Sequence, residues 1–98
     1  MEKRTPHRRL GLVKRLLALG NVRLTFSAVQ GARALGFDEQ GVINIIAALE
    51  PQDFRKSMTT YSDHRLWQDV YCPLTSAGRI YLKLSIDEGL LVVSFKEA

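Results

Sequence analysis

Arg79-Ile80-Tyr81-Leu82-Lys83-Leu84-Ser85-Ile86 alternates strictly between apolar and polar residues. Period two is the signature of a strand with one buried face. Asp87-Glu88-Gly89 supplies turn residues, and Leu90 to Lys96 reads as a returning strand. If Glu88-Gly89 forms a two-residue turn, Ile86 faces Leu91, Leu84 faces Val93 and Leu82 faces Phe95. The large apolar residues then share one face, as burial requires. The opposite face pairs Tyr81 with Lys96 and Lys83 with Ser94. A three-residue loop slips the register by one and mixes the faces, so the two-residue turn is the expectation.

Upstream, the apolar pattern changes period near residue 53. Thr5-Pro6 reads as an N-cap with proline at the first helical position, before Leu10, Val13, Leu16 and Leu17 at helical spacing. Gly20 is a natural stop. Val22 to Thr25 suits a short strand. Ser27 and Gln30 form a capping box for a second helix that Gly36 closes. Asp38 caps a third, with Val42, Ile45, Ile46 and Leu49 on its buried side and Pro51 ending it. Phe54 to Tyr61 and Leu66 to Tyr71 read as extended segments joined by a polar loop. Pro73 to Gly78 reads as a connection. The fold class is therefore α+β: N-terminal helices packed on one face of a mainly antiparallel twisted β-sheet, in two layers.

The chain has 98 residues, 46 % hydrophobic and 24 % charged, which suits a single globular domain over 1–98 and excludes disorder, collagen and coiled coil. No apolar run approaches the roughly 20 residues of a membrane span. Lys14 and Arg15 interrupt the apolar stretch near the N-terminus, so it does not read as a secretory signal. The single Cys72 excludes an intramolecular disulfide and fits a reducing cytoplasm. Net charge is +4, unevenly spread. Up to Arg33, eight Lys and Arg stand against Glu2 alone; from Ala34 onward the balance is −3. A basic first third suits a phosphate-rich or acidic partner.

Paired-cysteine, HExxH and EF-hand motifs are absent, and His7 and His64 are too few and too distant for a zinc site, so no metal or other cofactor is expected. No glycine loop suits a nucleotide, and Cys72 has no histidine beside it in sequence. What remains is a set of cations, amides and phenols: Arg55, Lys56, Gln68, Tyr81, Lys83 and Lys96. RNA is the substrate for which such groups suffice. Its 2′-hydroxyl is an internal nucleophile beside the scissile phosphorus. The protein need only position the strand, move two protons and neutralise developing charge. Each residue also has a structural reading. Lys56 and Lys96 suit solvated strand positions, Gln68 a loop contact, Tyr81 strand filler and Trp67 the core.

Met1-Glu2-Lys3-Arg4-Thr5-Pro6-His7, Lys56-Ser57-Met58-Thr59-Thr60-Tyr61-Ser62-Asp63-His64, Trp67-Gln68-Asp69-Val70-Tyr71, Tyr81-Leu82-Lys83 and Val93-Ser94-Phe95-Lys96-Glu97 together resemble the motility quorum-sensing regulator (MqsR) toxin family. The likeness runs end to end and is strongest over 56–71; residues 8–55 match mainly in pattern. It implies a RelE/YoeB-like fold and a ribosome-independent, metal-independent mRNA endoribonuclease preferring GCU. It also implies an MqsA-like antitoxin partner, with a zinc-binding N-terminal domain and a helix-turn-helix C-terminal domain. Operator DNA would be bound only through the toxin–antitoxin complex, in a process tied to persistence and biofilm formation. The family's catalytic residues match Lys56, Gln68 and Tyr81. Lys56 would contact phosphate or act as base, Tyr81 would be acid or phosphate ligand, and Gln68 would orient the strand. Lys96, Lys83 and Arg55 are expected RNA or phosphate contacts. One stretch, Cys72 to Gly78, departs from the family pattern in carrying no cation, which implies weaker or altered RNA reading there. A non-catalytic basic RNA- or DNA-binding module, or a pure protein-interaction module, is the rival reading.

Overall fold

The apolar stripe of residues 80–84 needs a cover, and three short helices provide it. The computed structural model describes residues 1–98. In chain order the elements are β1 (Glu2–Lys3), α1 (Leu10–Ala18), β2 (Val22–Leu24), α2 (Phe26–Ala34), α3 (Glu39–Ala47), a 3-10 turn (Pro51–Asp53), β3 (Phe54–Thr59), β4 (Trp67–Tyr71), β5 (Leu74–Thr75), β6 (Gly78–Ile86) and β7 (Leu90–Glu97). The sheet runs β1-β3-β4-β6-β7-β2, with β5 paired only to β6. All pairs are antiparallel except β2 with β7. The α+β expectation holds. No helix is long and apolar enough to cross a membrane.

The core joins Val13 and Leu17 of α1, Ala28 and Ala32 of α2, and Val42 and Ile46 of α3 to Ile80, Leu82, Leu84, Leu90, Val92 and Phe95 of the sheet. Asp38 caps α3, accepting from the Gly41 amide at 2.8 Å, as its position before the apolar stripe predicts. Two other helix starts differ from expectation. α2 begins at Phe26, because Thr25 rather than Ser27 is its cap: Thr25 Oγ1 accepts from the Ala28 amide (3.0 Å) and donates to the Val93 carbonyl (2.8 Å). α1 begins at Leu10, not after Thr5-Pro6. Residues ahead of it are committed elsewhere: Glu2 and Lys3 pair with β3, and the His7 and Arg8 amides donate to the Asp69 carboxylate at 3.0 and 3.1 Å.

The β6–β7 hairpin corrects the expected turn. Tyr81 pairs with Lys96, Leu82 with Phe95 and Lys83 with Ser94, as the alternation predicts. Nearer the turn, Leu84 pairs with Val92 and Ile86 with Leu90, leaving a three-residue loop. A bulge between Lys83 and Leu84 absorbs the slip, with Val93 as the extra residue. Leu90, Val92 and Phe95 therefore all reach the core although their spacing is not uniform. The 73–78 connection also contains the short strand β5, pairing Leu74 with Arg79 and Thr75 with Gly78.

α2 lies close on β7. A Cβ added at Gly31 would run into the Phe95 carbonyl oxygen, so a hydrogen is the largest group that fits. Gly31→Ala would gain about 1 kcal/mol of helix propensity in isolation. Overpacking against backbone, which cannot rotate aside, costs about 3 kcal/mol or more. A net loss of about 2 kcal/mol is the expected outcome, read as a lowered urea midpoint with unchanged m-value.

Candidate active site

The helices cover one face of the sheet, and the other face is open. Register decides which side chains stand there. Lys56 of β3 pairs with Val70 of β4, Val70 with Lys83 of β6, and Lys83 with Ser94 of β7. Directly paired residues share a face, so these four form one row across the sheet. Two residues along, on the same face, stand Met58 paired with Gln68. Two residues the other way on β6 stands Tyr81, paired with Lys96. The pairing of β3 with β4 thus brings Lys56 and Gln68 to the face that carries Tyr81.

Val70 explains the floor of this row. It is 1 % exposed yet lies outside the core cluster on the helix side. Its register neighbours Lys56 and Lys83 flank it, and lysine stems commonly cover apolar surface while their ammonium groups reach water. Tyr81 stands between two cations: the Nζ atoms of Lys83 and Lys96 lie 5.7 and 5.1 Å from its ring centroid. Lys83 and Lys96 therefore flank the phenol, and Lys56 stands on the same face across Val70.

The two half-buried lysines sit in opposite environments. Burial, and then the positive charges of Lys96 and Lys56, hold the Lys83 ammonium below the usual lysine range. A hydrogen-bonded ion pair with Glu2, 3.0 Å from Oε1 to Nζ, raises Lys56 above that range. Glu2 is correspondingly held below the usual carboxylate range. Nothing in the sequence gives Glu2 a role at this site. The available signal was its isolation as the single acid among the cations of the first 33 residues.

The remaining candidates stand apart. Gln68 is about 7 Å along its strand from the Val70 row, on the side away from Tyr81, a spacing set by the strand rise of two residues. Arg55 does not join the cluster. It is left over at the β3 bulge, its Nη1 donates to the Gln52 and Phe54 carbonyls, and it lines a separate cavity of about 590 Å³ with Phe37, Ile45, Leu74 and Arg79. His64 is exposed in the 60–66 loop. Trp67 is neither core nor free platform. It faces the helix side, stacks on His7 at 5.3 Å between centroids, and carries the Lys3 ammonium at 4.1 Å. No group of three or more His, Cys, Asp and Glu residues is placed to hold a metal ion.

Residues 5–97 match the family described as "Motility quorum-sensing regulator, toxin of MqsA". The chain is also 55 % identical over 97 residues to the mRNA interferase toxin MqsR of Escherichia coli (strain K12), an alignment covering 99 % of each chain.

The environment of Lys83 has a consequence for stability. Its folded pKa lies below its unfolded one, so the unfolded state binds more protons and stability rises with pH across that interval. The penalty is fully present below the folded pKa and gone above the unfolded value of about 10.4. Lys83→Met is expected to raise the urea midpoint at pH 7. The difference from the parent should shrink as pH approaches about 10, in paired denaturation curves.

Proposed function

The chain belongs to the MqsR toxin family, and from that membership together with the open sheet face we propose how it acts as an mRNA interferase, the toxin of a toxin–antitoxin pair. The observation that carries the mechanism is the convergence of Lys56, Tyr81, Lys83 and Lys96 on one uncovered face. A phosphodiester laid across that face meets the Lys56 and Lys96 ammonium groups, the Lys83 amine that can accept a proton, and a phenol. The RNA 2′-oxygen attacks the adjacent phosphorus, and the bond to the 5′-oxygen breaks. The products are a 2′,3′-cyclic phosphate and a 5′-hydroxyl. No water is consumed in this step.

Lys83 gives up its proton more readily than Lys56, because it is desolvated and flanked by like charge while Lys56 is paired with Glu2. It is the base for the 2′-hydroxyl. Lys56, held as an ammonium by Glu2, binds the non-bridging oxygens, on which negative charge grows in the transition state. Tyr81 donates to the leaving 5′-oxygen. Lys96 adds a second cation beside it. Gln68, offset along the strand, holds the neighbouring nucleotide. Arg55, outside the cluster, would reach RNA only beyond the face itself.

Family membership supports the rest of the reading: cleavage without the ribosome, preference for GCU, and neutralisation by an MqsA-type antitoxin with a zinc-binding N-terminal domain and a helix-turn-helix C-terminal domain. It supports equally an action on operator DNA only as the complex, a role in persistence and biofilm formation, and a cytoplasmic site of action. The Cys72–Gly78 segment, which carries no cation, folds as the β5 turn and offers Leu74 to solvent, so RNA contact there would be apolar.

Purified chain and a ribosome-free RNA containing one GCU, with excess EDTA, test this directly. Cleavage at one position that survives EDTA is the expected result. Lys56→Ala and Tyr81→Phe should each lower kcat by about 10²–10⁴, the range for a lost acid, base or charge contact. Lys96→Ala should mainly raise KM and flatten its salt dependence by about 0.7 in log–log slope, the share of one phosphate contact on single strands. Intact RNA with a folded chain would contradict the proposal.

A further inference from the structure

We infer that Glu2 is a positioning residue for the cleavage reaction: its carboxylate holds the Lys56 ammonium in place over the open face and limits how tightly RNA binds there before reacting. The inference rests on the ribonuclease reading of that face.

The geometry comes from β1. Glu2 pairs with Met58 and Lys3 with Ser57, so alternation sends the Glu2 side chain to the open face and Lys3 to the helix side, over Trp67. A two-residue strand has no stability of its own, and this one is fastened on both sides. The Thr59 amide donates to the Met1 carbonyl at 3.0 Å. Beyond Lys3, the His7 and Arg8 amides donate to Asp69, which is 5 % exposed, and His7 stacks on Trp67. Glu2 is thereby delivered to Lys56 across 54 residues of sequence.

Only two ion pairs form in the chain, and the other is local, between Asp63 and Arg65. Exposed pairs contribute little to stability. The Glu2–Lys56 pair, with side chains 55 % and 33 % exposed, therefore calls for another explanation. Lysine is a flexible stem carrying three donors. One donor to Glu2 fixes the stem and leaves two for phosphate oxygens. The groups facing Lys56 are Glu2 and Arg4 from the N-terminal segment and Tyr81 and Lys83 from β6. Among them Glu2 is the sole carboxylate. Its charge repels a ground-state phosphate, while the fixed ammonium meets the greater charge of the transition state. That combination raises KM and kcat together, which is the signature of binding energy held for the transition state.

The test compares Glu2→Gln and Glu2→Asp with the parent, in full chains that begin at Met1, and repeats Glu2→Gln in a Lys56→Ala background. Glu2→Gln is expected to lower both KM and kcat, kcat by about tenfold, a loss equivalent to roughly 1.4 kcal/mol. The Lys56 titration, followed by NMR of its ε-carbon, should shift to lower pH. Glu2→Asp should recover part of both effects. In the Lys56→Ala background Glu2→Gln should change nothing further. Hydrogen exchange at the Thr59 amide reports whether β1 remains docked; protection is expected to persist. An unmoved kcat and Lys56 titration in Glu2→Gln, with Lys56→Ala inactive, overturns this inference alone. So does a kcat loss of equal size in the Lys56→Ala background, or one that tracks lost Thr59 protection. A Lys56→Ala chain as active as the parent overturns the ribonuclease reading of the face and this inference with it.

Discussion

Three nine-residue helices cover only one face of a seven-stranded sheet, and strand alternation then assigns every residue of β6 to one side or the other. Ile80, Leu82 and Leu84 take the covered side, so Tyr81, Lys83 and Ser85 cannot. Each neighbouring strand must match this division to bury its apolar residues. Lys56 and Gln68 are brought to the open side by the pairing of β3 and β4, and Lys96 by its pairing with Tyr81. The candidate site residues are gathered by the demand that apolar residues be buried. No local sequence motif is needed.

Two lysines in one row across that face differ chemically because their surroundings differ. Lys83 is crowded by like charge and partly desolvated; Lys56 has a carboxylate at 3.0 Å. Environments that push two titratable groups apart allow one type of side chain to serve as base and as fixed cation at the same pH. The arrangement depends on the N-terminal segment as much as on the sheet. Asp69, buried on the helix side, anchors the backbone that carries Glu2 to the open side.

The α+β class was legible because residues 79–86 alternate without interruption and because Asp38 precedes an unbroken helical stripe. The pairing of Tyr81 with Lys96 followed from the same alternation. The turn departs from the alternation because a bulge at Val93 absorbs one residue without exposing the core, and no residue type announces it. The start of α1 was misread because Thr5-Pro6 carries good local capping chemistry that loses to tertiary bonds made by His7 and Arg8. β1 is two residues long and exists only through its partner β3, so no periodicity could reveal it. Lys56 and Gln68 were nameable as candidates, but their shared face became evident only from the β3–β4 register. Arg55 is expected from sequence among the RNA contacts, but it is the extra residue of the bulge between Phe54 and Lys56 and lines a separate cavity.

In the proposed reaction the protein supplies cations and proton transfer while the RNA supplies its own nucleophile. Single-turnover cleavage of two otherwise identical oligonucleotides, one with a single 2′-deoxy sugar on the 5′ side of the scissile bond, tests it most directly. Normal cleavage of the all-ribose strand to a 2′,3′-cyclic phosphate and no cleavage at the deoxy position are expected, with binding of both strands nearly equal. Cleavage at the deoxy position at a comparable rate would show that water is the nucleophile and would overturn the proposed reaction.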